Sequence, residues 1–456
     1  MLMAGASLAS VWSGRVLSER GTRVFRSLSM PATPGLGRLG AGELGCDDLR
    51  DDVTWHRAAA APDVVGVESV RGRAAPERPR VVLRMARFPP ALGRNPYTAL
   101  LSRGLAEHGI ELVAEPPLTC RWLVSNRRAV DVLHFHWRPN TYYAARKRSH
   151  TGSRSKAART LRSWARLAAF SCRLRLARLL GLGVAWTIHE VYPPDVIVAG
   201  RRSAGRIDRV GSGILARHCD LLMAHDAETA EQARAEFVPA GAEVEVVPHG
   251  SYVGVYPAGR PRSEVRSTLG LRPDTFTFLC FGALRPDKEI DLLLEAFLAT
   301  GDPDTALVIA GNVDDERCRP AVVEAAAADP RIKLLLEIVP HERVRELFDA
   351  ADAFVNARGR AWTPGSLILA LSLGVPAVAG ALQSNLELLG QGRAGWLFRP
   401  GDVGSLREAF DEAAADHGLA RAKGRAALEQ AMGLPSWSEI GRQTADLMHR
   451  RCDRRR

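Results

Sequence analysis

The feature that most constrains the fold is an alternation of short apolar runs with helical segments, which begins near residue 80 and occurs twice. The first series predicts strands at 81–85, 129–135, 184–188, 220–224 and 244–247, with helices at 97–108, 157–180 and 227–237. The second predicts strands at 276–281, 306–310, 332–339, 353–356, 376–379 and 396–398, with helices at 291–298, 344–350, 367–373 and 436–450. Because strands that alternate with helices form parallel sheets through right-handed crossovers, we predict an α/β protein with two doubly wound Rossmann-like domains.

The segments outside the two series set the expected domain boundaries. Residues 1–79 have no sustained strand or helix period and predict a flexible or partly ordered N-terminal extension. We expect the first domain over 80–255, the second over 256–435, and a last helix with a basic tail over 436–456. Ligands of doubly wound sheets bind beyond the carboxyl ends of the strands, so the strand-end loops are where a site is expected.

The net charge of +11 is concentrated in one part of the chain. Residues 121–180 hold fifteen Lys and Arg and one acid, Asp131, so the rest of the chain carries about −3. On the helix predicted at 157–180, one face carries Arg159, Arg162, Arg166 and Arg173, and we expect Leu161, Trp164, Ala165, Ala168 and Leu179 on the opposite, packed face. Such a basic face is usually solvated, and the alternative is contact with anionic lipid. Nucleic acid is disfavoured because no aromatic stacking platform accompanies the charge.

The bulk composition excludes several other classes of protein. No apolar run approaches the ~20 residues of a membrane span. The seven cysteines are scattered and include no CxxC pair, which predicts reduced thiols and a cytoplasmic protein. The acidic run Asp314-Asp315-Glu316 is expected at a helix N-terminus, where acids are favoured without a metal.

Two segments of the second half suggest chemistry. FGALRPDKEIDLLLEAF, residues 281–297, ends a strand at Gly282 and then presents Arg285 and Lys288, which could neutralise a diphosphate leaving group. Solvated loop charges paired with Asp287 or Glu289 are the equally weighted alternative. In AWTPGSLILALSLGVP, residues 361–376, a turn leads into an apolar helix whose N-terminus could bind an anion, although an ordinary cap on a packed helix fits as well.

These segments together resemble the GT-B glycosyltransferases, in particular the large retaining family 4 that uses nucleotide-sugar donors. The matching pieces occur in the family's order: ThrIleHisGlu at 187–190, ValProHisGly at 247–250, Gly282 with Arg285 and Lys288, LeuGlyValPro at 373–376, Asn-Leu-Glu at 385–387, Gly-Trp-Leu at 395–397 and Ser-Trp at 436–437. The resemblance implies a GT-B fold with the two domains facing a central cleft, in which the last helix and basic tail, 436–456, cross back to the first domain. It also implies that Arg285 and Lys288 hold the donor diphosphate and that His189 lies beside the reacting sugar.

One departure from the family pattern bears on donor binding. The paired glutamates of the family's Glu-x7-Glu motif fall on Ala361 and Leu369, which cannot accept hydrogen bonds from sugar hydroxyls. We expect a substitute donor site formed by Thr363, Gly365, Ser366 and Leu367, with Glu387 as a candidate for the ribose. Loss of donor binding is the alternative, and the missing pair leaves retention or inversion of the anomeric configuration open.

The first domain supplies the candidate acceptor residues. His189 follows a predicted strand, and His136 lies at the end of another, two positions after His134. Gly93, Arg94 and Asn95 lie in the loop after the first strand, where GT-B enzymes place a flexible loop, although Asn95 and Pro96 also fit the start of a helix. No third ligand accompanies the two histidines, so no metal site and no cofactor are expected.

The predicted function is therefore metal-independent transfer of a sugar from a nucleotide-diphosphate sugar to a glycan or lipid-linked acceptor, with retention implied by the resemblance. A peripheral position at the cytoplasmic membrane face is expected for a lipid-linked acceptor. The alternatives are a non-catalytic GT-B binding or scaffold protein and a GT-B nucleotide-sugar epimerase.

Overall fold

A computed structural model describes residues 82–90, 96–143, 156–192, 205–359 and 365–453. The predicted N-terminal extension, 1–79, lies outside the described residues. The first domain contains a six-stranded, all-parallel sheet in the order β2-β1-β3-β4-β5-β6. Its strands are Leu83–Phe88, Ile110–Ala114, Val132–His136, Gly183–Ile188, Leu221–Ala224 and Glu245–Val246, numbered β1 to β6 in chain order.

The second domain contains another six-stranded parallel sheet, in the order β12-β11-β10-β7-β8-β9. Its strands are Phe276–Phe281, Thr305–Ala310, Ile332–Leu335, Ala353–Asn356, Ala377–Gly380 and Gly395–Phe398, numbered β7 to β12. The predicted two-domain α/β architecture is confirmed. In each sheet the chain adds strands first on one side of the first strand and then on its other side. Ligands of such sheets bind at the carboxyl ends of the strands where this change of side occurs.

Fifteen α-helices connect the strands in the part of the chain that the structure describes. We number them α1 to α15: Tyr97–Ala106, Cys120–Asn126, Asn140–Tyr143, Lys156–Leu179, Arg206–His218, Ala227–Glu236, Arg262–Thr268, Ile290–Leu298, Arg319–Ala328, His341–Ala350, Gly365–Ser372, Gln383–Leu388, Val403–Ala415, His417–Met432 and Trp437–Arg451. Short 3₁₀ turns at Pro286–Lys288 and Glu316–Cys318 precede α8 and α9.

Apolar side chains on both faces of each sheet form the core of each domain. Strands β4 and β8 are buried at every position, as expected for central strands covered by helices on both sides. The largest fully buried side chains include Trp186 and Phe135 in the first domain and Phe278, Phe297 and Phe410 in the second. This packing holds the strand ends of each domain in fixed positions.

The last helix, α15, packs against α1 of the first domain through two glycines. A Cβ on Gly104 would lie 2.0 Å from the carbonyl oxygen of Trp437, and one on Gly441 would lie 2.2 Å from the carbonyl carbon of Gly104. The helix begins with a capping box, in which Ser436 accepts from the backbone of Glu439 and the Glu439 carboxylate accepts from the backbone of Ser436. The indole of Trp437 donates to the carbonyl of Ser251, 2.7 Å away, so this helix is anchored to the segment that joins the two sheets.

The structure corrects several sequence predictions. Strand β2 was not predicted, because its residues alternate between buried and half-exposed in an edge strand. Helices α5 and α7 were not among the predicted helices. The predicted packed face of α4 is wrong: Leu161 and Leu179 are 72% and 85% exposed, whereas the helix buries Leu167, Phe170, Leu174 and Ala177.

Candidate functional site

The loop after β7 is formed by two glycines that bring adjacent strand ends together. Gly282 has a φ of 98° and Gly311, at the end of β8, has a φ of 146°. A Cβ on Gly311 would lie 2.4 Å from the carbonyl oxygen of Gly282, so no larger residue fits. This close approach positions the following residues, including Arg285 and Lys288, at the carboxyl edge of the sheet.

Lys288 lies against the end of β7. Its Nζ donates to the carbonyl oxygens of Phe281 and Gly282 at 2.5 and 2.9 Å. Burial lowers the pKa of Lys288 to about 8. Three ammonium hydrogens are available and two are used by these carbonyls, which leaves one for a ligand.

Arg285 pairs with Asp287, as the alternative interpretation of this loop expected, and Asp287 also pairs with Arg358, which the sequence did not suggest. Asp287 is 3% exposed at its side chain and bridges two guanidiniums, with an Oδ1 of Asp287 3.2 Å from Nε of Arg285 and an Oδ2 2.9 Å from Nη2 of Arg358. Arg358 follows β10. One carboxylate between two guanidiniums leaves a net positive charge, which is the charge that a diphosphate requires.

Glu289 ties the two cation-bearing loops together. Its carboxylate accepts from the backbone N–H of Gly359 at 2.9 Å, and its own φ of 50° lies in the left-handed region. A Cβ on Gly359 would lie 2.8 Å from the same carboxylate oxygen. The loops after β7 and β10 are therefore held side by side, and Arg285, Lys288 and Arg358 form one group, which we call the cation cluster.

The first domain brings Glu190 into the electrostatic reach of this cluster. Burial raises the pKa of Glu190, and the guanidiniums of Arg285, Arg138 and Arg358 oppose that rise. Arg138 is itself 3% exposed and lies 3.7 Å from the carboxylate of Asp208. Glu190 directly follows His189, so the end of β4 and the cation cluster face the same space.

His189 is the middle member of a chain of three hydrogen-bonded imidazoles. Nδ1 of His189 lies 3.3 Å from Nε2 of His225, and Nε2 of His189 lies 3.3 Å from Nδ1 of His136. Nδ1 of His225 lies 3.0 Å from the carbonyl oxygen of Val247. Burial lowers the pKa of all three side chains, so each imidazole is neutral near pH 7.

The Val247 carbonyl sets the direction of every hydrogen bond in this histidine chain. A carbonyl only accepts, so Nδ1 of His225 carries the proton and its Nε2 accepts from Nδ1 of His189. Nε2 of His189 then accepts from Nδ1 of His136, and Nε2 of His136 is a bare, buried acceptor with no hydrogen-bond partner. The fold thus fixes the tautomer of His189.

Aromatic side chains enclose the histidine chain. The ring of Trp137 stacks on His189 with centroids 4.9 Å apart, and Trp137 has a φ of 55°, which is unusual for a bulky residue. Tyr97, at the start of α1, contacts His189 and the indole of Trp437 at centroid distances of 4.8 and 5.3 Å. The part of the first domain around His189 is therefore a packed wall of neutral rings.

The structure places the other predicted site residues in different surroundings. Gly365 and Ser366 begin α11, and Leu367 is buried in the core; Thr363 and Ala361 lie outside the described residues, as do Gly93, Arg94 and Asn95. His136 is 2% exposed, so a direct contact with acceptor, as predicted for it, does not fit this structure. His134 is also buried, with Nε2 2.8 Å from the hydroxyl of Thr187.

Glu387 does not lie with the cation cluster. Its carboxylate accepts from the side-chain amide of Gln383 at 2.6 Å, and it lines a cavity together with His225 and His249. The predicted contact between Glu387 and a donor ribose has no support from this placement.

On α4, Arg159, Arg162 and Arg166 are exposed and Arg173 is half-buried. Leu161 and Trp164, 37% exposed, share the outward-facing part of that helix. None of the described helices combines the length and the hydropathy of a membrane span. Within the described ranges, no group of three or more His, Cys, Asp and Glu side chains is arranged to hold a metal ion.

Comparisons with known proteins agree with this geometry. Residues 261–430 match the family model of glycosyl transferases group 1. The second domain matches a glycosyltransferase family. A curated relative, the GDP-mannose:glycolipid 4-beta-D-mannosyltransferase of Xanthomonas campestris pv. campestris, is 33% identical over 120 residues, which are 26% of this chain and 34% of that protein. The match thus spans about a third of the relative's length.

Solved structures establish the fold over most of the chain. The Anabaena protein HepE in complex with UDP and glucose aligns with a TM-score of 0.60 and 16% identity, over 81% of this chain and all of that one. Sucrose-phosphate synthase from Thermosynechococcus elongatus aligns with a TM-score of 0.59 and 17% identity, over 81% of this chain and 98% of that one. WaaG, a glycosyltransferase involved in lipopolysaccharide biosynthesis, aligns with a TM-score of 0.54 and 14% identity, over 80% of this chain and 99% of that one. The predicted GT-B fold and the resemblance to GT-B glycosyltransferases are confirmed.

Three residues of the site were missed from the sequence: Arg358, Glu190 and His225. Each follows a buried strand directly or within two positions, so the rule that sites lie at strand ends could have selected all of them. What the sequence could not supply is the pairing of Asp287 with Arg358, which are 71 positions apart and meet only because β7 and β10 are neighbours.

Proposed function

We propose that the protein transfers a sugar from a nucleotide-diphosphate sugar to a glycan or lipid-linked acceptor. The observation that carries this proposal is the cation cluster, in which Arg285, Arg358 and Lys288 are fixed at the carboxyl ends of adjacent strands with one bridging carboxylate. The family match over 261–430 includes every member of the cluster. The HepE structure holds UDP and glucose, and the curated relative is named for GDP-mannose and a glycolipid, which supports a nucleotide-sugar donor and a lipid-linked acceptor.

Each part of the site has a role in the proposed reaction. An acceptor hydroxyl oxygen bonds to the anomeric carbon as the bond from that carbon to the diphosphate oxygen breaks, the hydroxyl proton passes to the departing diphosphate, and the cation cluster neutralises the negative charge that develops on it. The neutral imidazole of His189, held in one tautomer, lies on the opposite wall at the sugar. The first turn of α11, with Gly365 and Ser366, offers backbone N–H groups to the diphosphate. No metal has a role in this proposal, and retention of the anomeric configuration stays a prediction of the resemblance.

Calorimetry with UDP, GDP, ADP and the corresponding sugar donors tests the proposal. We expect one nucleotide class to bind and the double variant Arg285→Ala/Lys288→Ala to lose that affinity by at least about 100-fold, since each charge-assisted hydrogen bond contributes about 1.5–3 kcal/mol. A matched control is Arg421→Ala/Arg425→Ala, which removes two exposed cations of α14. Absence of nucleotide binding to the unmodified protein at millimolar concentration would refute donor binding and favour a scaffold role.

We also propose that α4 contacts anionic membrane. Its exposed arginines lie beside exposed Leu161 and Trp164, and a cation near an anionic surface contributes about 1 kcal/mol. Sedimentation with vesicles that contain about 30 mol% anionic lipid should show that the protein binds to them and that salt weakens this binding. Replacing Arg159, Arg162, Arg166 and Arg173 by Gln should lower it by at least about tenfold.

The control for the membrane experiment replaces four exposed arginines of the second domain and α15 by Gln, namely Arg399, Arg421, Arg425 and Arg442. We expect this variant to bind vesicles as the unmodified protein does. Equal loss in both variants, or equal binding to zwitterionic vesicles, would contradict an α4-specific contact.

A further inference from the structure

A cavity of about 210 Å³ lies between the two domains, separate from the cation cluster. The first domain lines it with His225, Asp226 and His249, and the second with Ile368, Ser384 and Glu387, among others. The described lining contains carboxylates, imidazoles, a hydroxyl and an amide together with aliphatic side chains, and it contains no Lys or Arg. This composition differs sharply from that of the cation cluster.

The charges of the cavity disfavour a diphosphate. Its lining has two carboxylates, Asp226 and Glu387, and no Lys or Arg, and both carboxylates add to the rise that burial causes in the pKa of neighbouring Glu228. The two imidazoles do not offset it: burial lowers the pKa of His249 to about 3 and also lowers that of His225. A phosphate would meet uncompensated repulsion, whereas a neutral ligand would not.

The polar groups of the cavity match those of a polyol. Oγ of Ser384 is buried and has no hydrogen-bond partner within the protein, whereas most buried polar side-chain atoms have one. The Nδ1 of His249 donates to the carbonyl of Gly250 at 2.9 Å, so its Nε2 is a bare acceptor in the neutral ring. The carboxylate of Glu387 has acceptor capacity beyond its bond to Gln383. Acceptors of this kind bind hydroxyl groups, and aliphatic side chains such as Ile368 suit the C–H face of a sugar ring.

The histidine chain connects the cavity to the reacting centre of the proposed function. His225 lines the cavity and also accepts from His189, the residue before Glu190, whose carboxyl group is within electrostatic reach of Arg285. A hydroxyl held in the cavity and a diphosphate held by Arg285 would therefore both lie near the end of β4. Resting on the proposed function, we infer that this cavity binds the acceptor's terminal sugar, a neutral, hydroxyl-rich saccharide ring.

Saturation-transfer NMR tests this inference on the full chain. The probes are methyl β-D-mannopyranoside, methyl β-D-glucopyranoside and cellobiose, each with saturating UDP or GDP. We expect at least one saccharide to receive saturation, and Glu387→Gln to weaken its binding by about tenfold, since a hydrogen bond to a charged group contributes about 1.5–3 kcal/mol. Ser384→Leu, which breaks no hydrogen bond and fills part of the cavity, should abolish the signal. The matched control is Glu408→Gln, at an exposed position of α13.

The outcomes separate this inference from the proposed function. Nucleotide affinity is measured in Glu387→Gln and Ser384→Leu alongside saccharide binding, and we expect saccharide binding to fall by a larger factor than nucleotide affinity, because neither residue belongs to the cation cluster. Saccharide binding that is insensitive to both variants, or no saccharide signal while nucleotide binds, would overturn the cavity assignment and leave donor binding intact. If no nucleotide binds but a saccharide does in a Glu387-dependent manner, the cavity assignment stands and the donor proposal fails.

Discussion

The two walls of the interdomain site are built on opposite electrostatic principles. The first-domain wall has neutral imidazoles in a fixed hydrogen-bond direction, enclosed by Tyr97 and Trp137. The second-domain wall has three cations and one bridging carboxylate. Burial keeps the histidines neutral, whereas the carboxylate of Asp287 lies between the guanidiniums of Arg285 and Arg358. The difference teaches that charge recognition belongs to one wall and rigid positioning to the other.

The largest expected effect comes from removing the carboxylate of the charged wall. Asp287→Ala leaves two guanidiniums without their bridge, so we expect the free energy of unfolding to fall by about 3 kcal/mol. Urea denaturation measures this change. Asp411→Ala is the control, because its surface pair with Arg407 lies on one helix and should contribute less than about 0.5 kcal/mol. Equal losses would show that the cation cluster is an ordinary surface network.

A second effect concerns the two glycines, Gly104 and Gly441, at which α15 packs against α1. Gly104→Val would drive a side chain into the backbone of Trp437, so we expect a loss of about 2 kcal/mol or more in unfolding free energy. Gly418→Ala, at the exposed start of α14, serves as the small-residue control. Thermal unfolding followed by circular dichroism distinguishes them, and an undisturbed melting temperature in Gly104→Val would contradict the α1–α15 packing.

The charged wall should also respond to pH. Burial lowers the pKa of Lys288 to about 8, so the protonated, diphosphate-binding form decreases as the pH rises through 8. If only that form binds, nucleotide affinity should fall by about tenfold between pH 7 and 9, and binding at pH 8 should take up a proton, since the bound diphosphate raises the pKa again. Calorimetry in buffers of different ionisation enthalpy measures the uptake.

Lys288→Arg is the control for this pH effect, because a guanidinium stays protonated over the whole range. A pH dependence that persists in Lys288→Arg would assign the titration to another group.

The smallest effect is expected on the neutral wall. His225→Phe removes the acceptor for Nδ1 of His189 and frees its tautomer, so we expect turnover to fall by about tenfold with nucleotide affinity unchanged. Nitrogen-15 NMR of the imidazoles provides a structural check: in the unmodified protein Nδ1 of His189 should carry the proton, and the ring should titrate well below the ordinary pKa of histidine because it is buried. His218→Phe, on α5 outside the chain of imidazoles, is the control.

The sequence predicted the repeating architecture well because buried parallel strands are nearly continuous apolar runs, as at β7 and β8. It failed where exposure or distance in sequence decides the structure. Strand β2 alternates in burial at a sheet edge, and α4 buries Leu167 and Phe170 rather than Leu161 and Leu179, since the face of a helix that packs depends on its neighbours in the fold.

For the site, the strand-end rule selected Arg285, Lys288 and His189, and those residues do face one space. The bridge from Asp287 to Arg358 and the chain through His225 could not be predicted, since both depend on which strands become neighbours. The same limit explains Glu387. Its sequence motif suggested a contact with the donor, whereas in the structure it lines the cavity between the two domains.

Titration calorimetry of the preferred nucleotide into two variants tests the division of roles most directly. The variants are Arg285→Ala/Lys288→Ala on the charged wall and His189→Ala on the neutral wall. We predict that the first loses nucleotide affinity by at least about 100-fold, whereas His189→Ala binds nucleotide within about twofold of the unmodified protein and loses sugar transfer. Equal nucleotide affinity in both variants, or a comparable loss in both, would contradict the account.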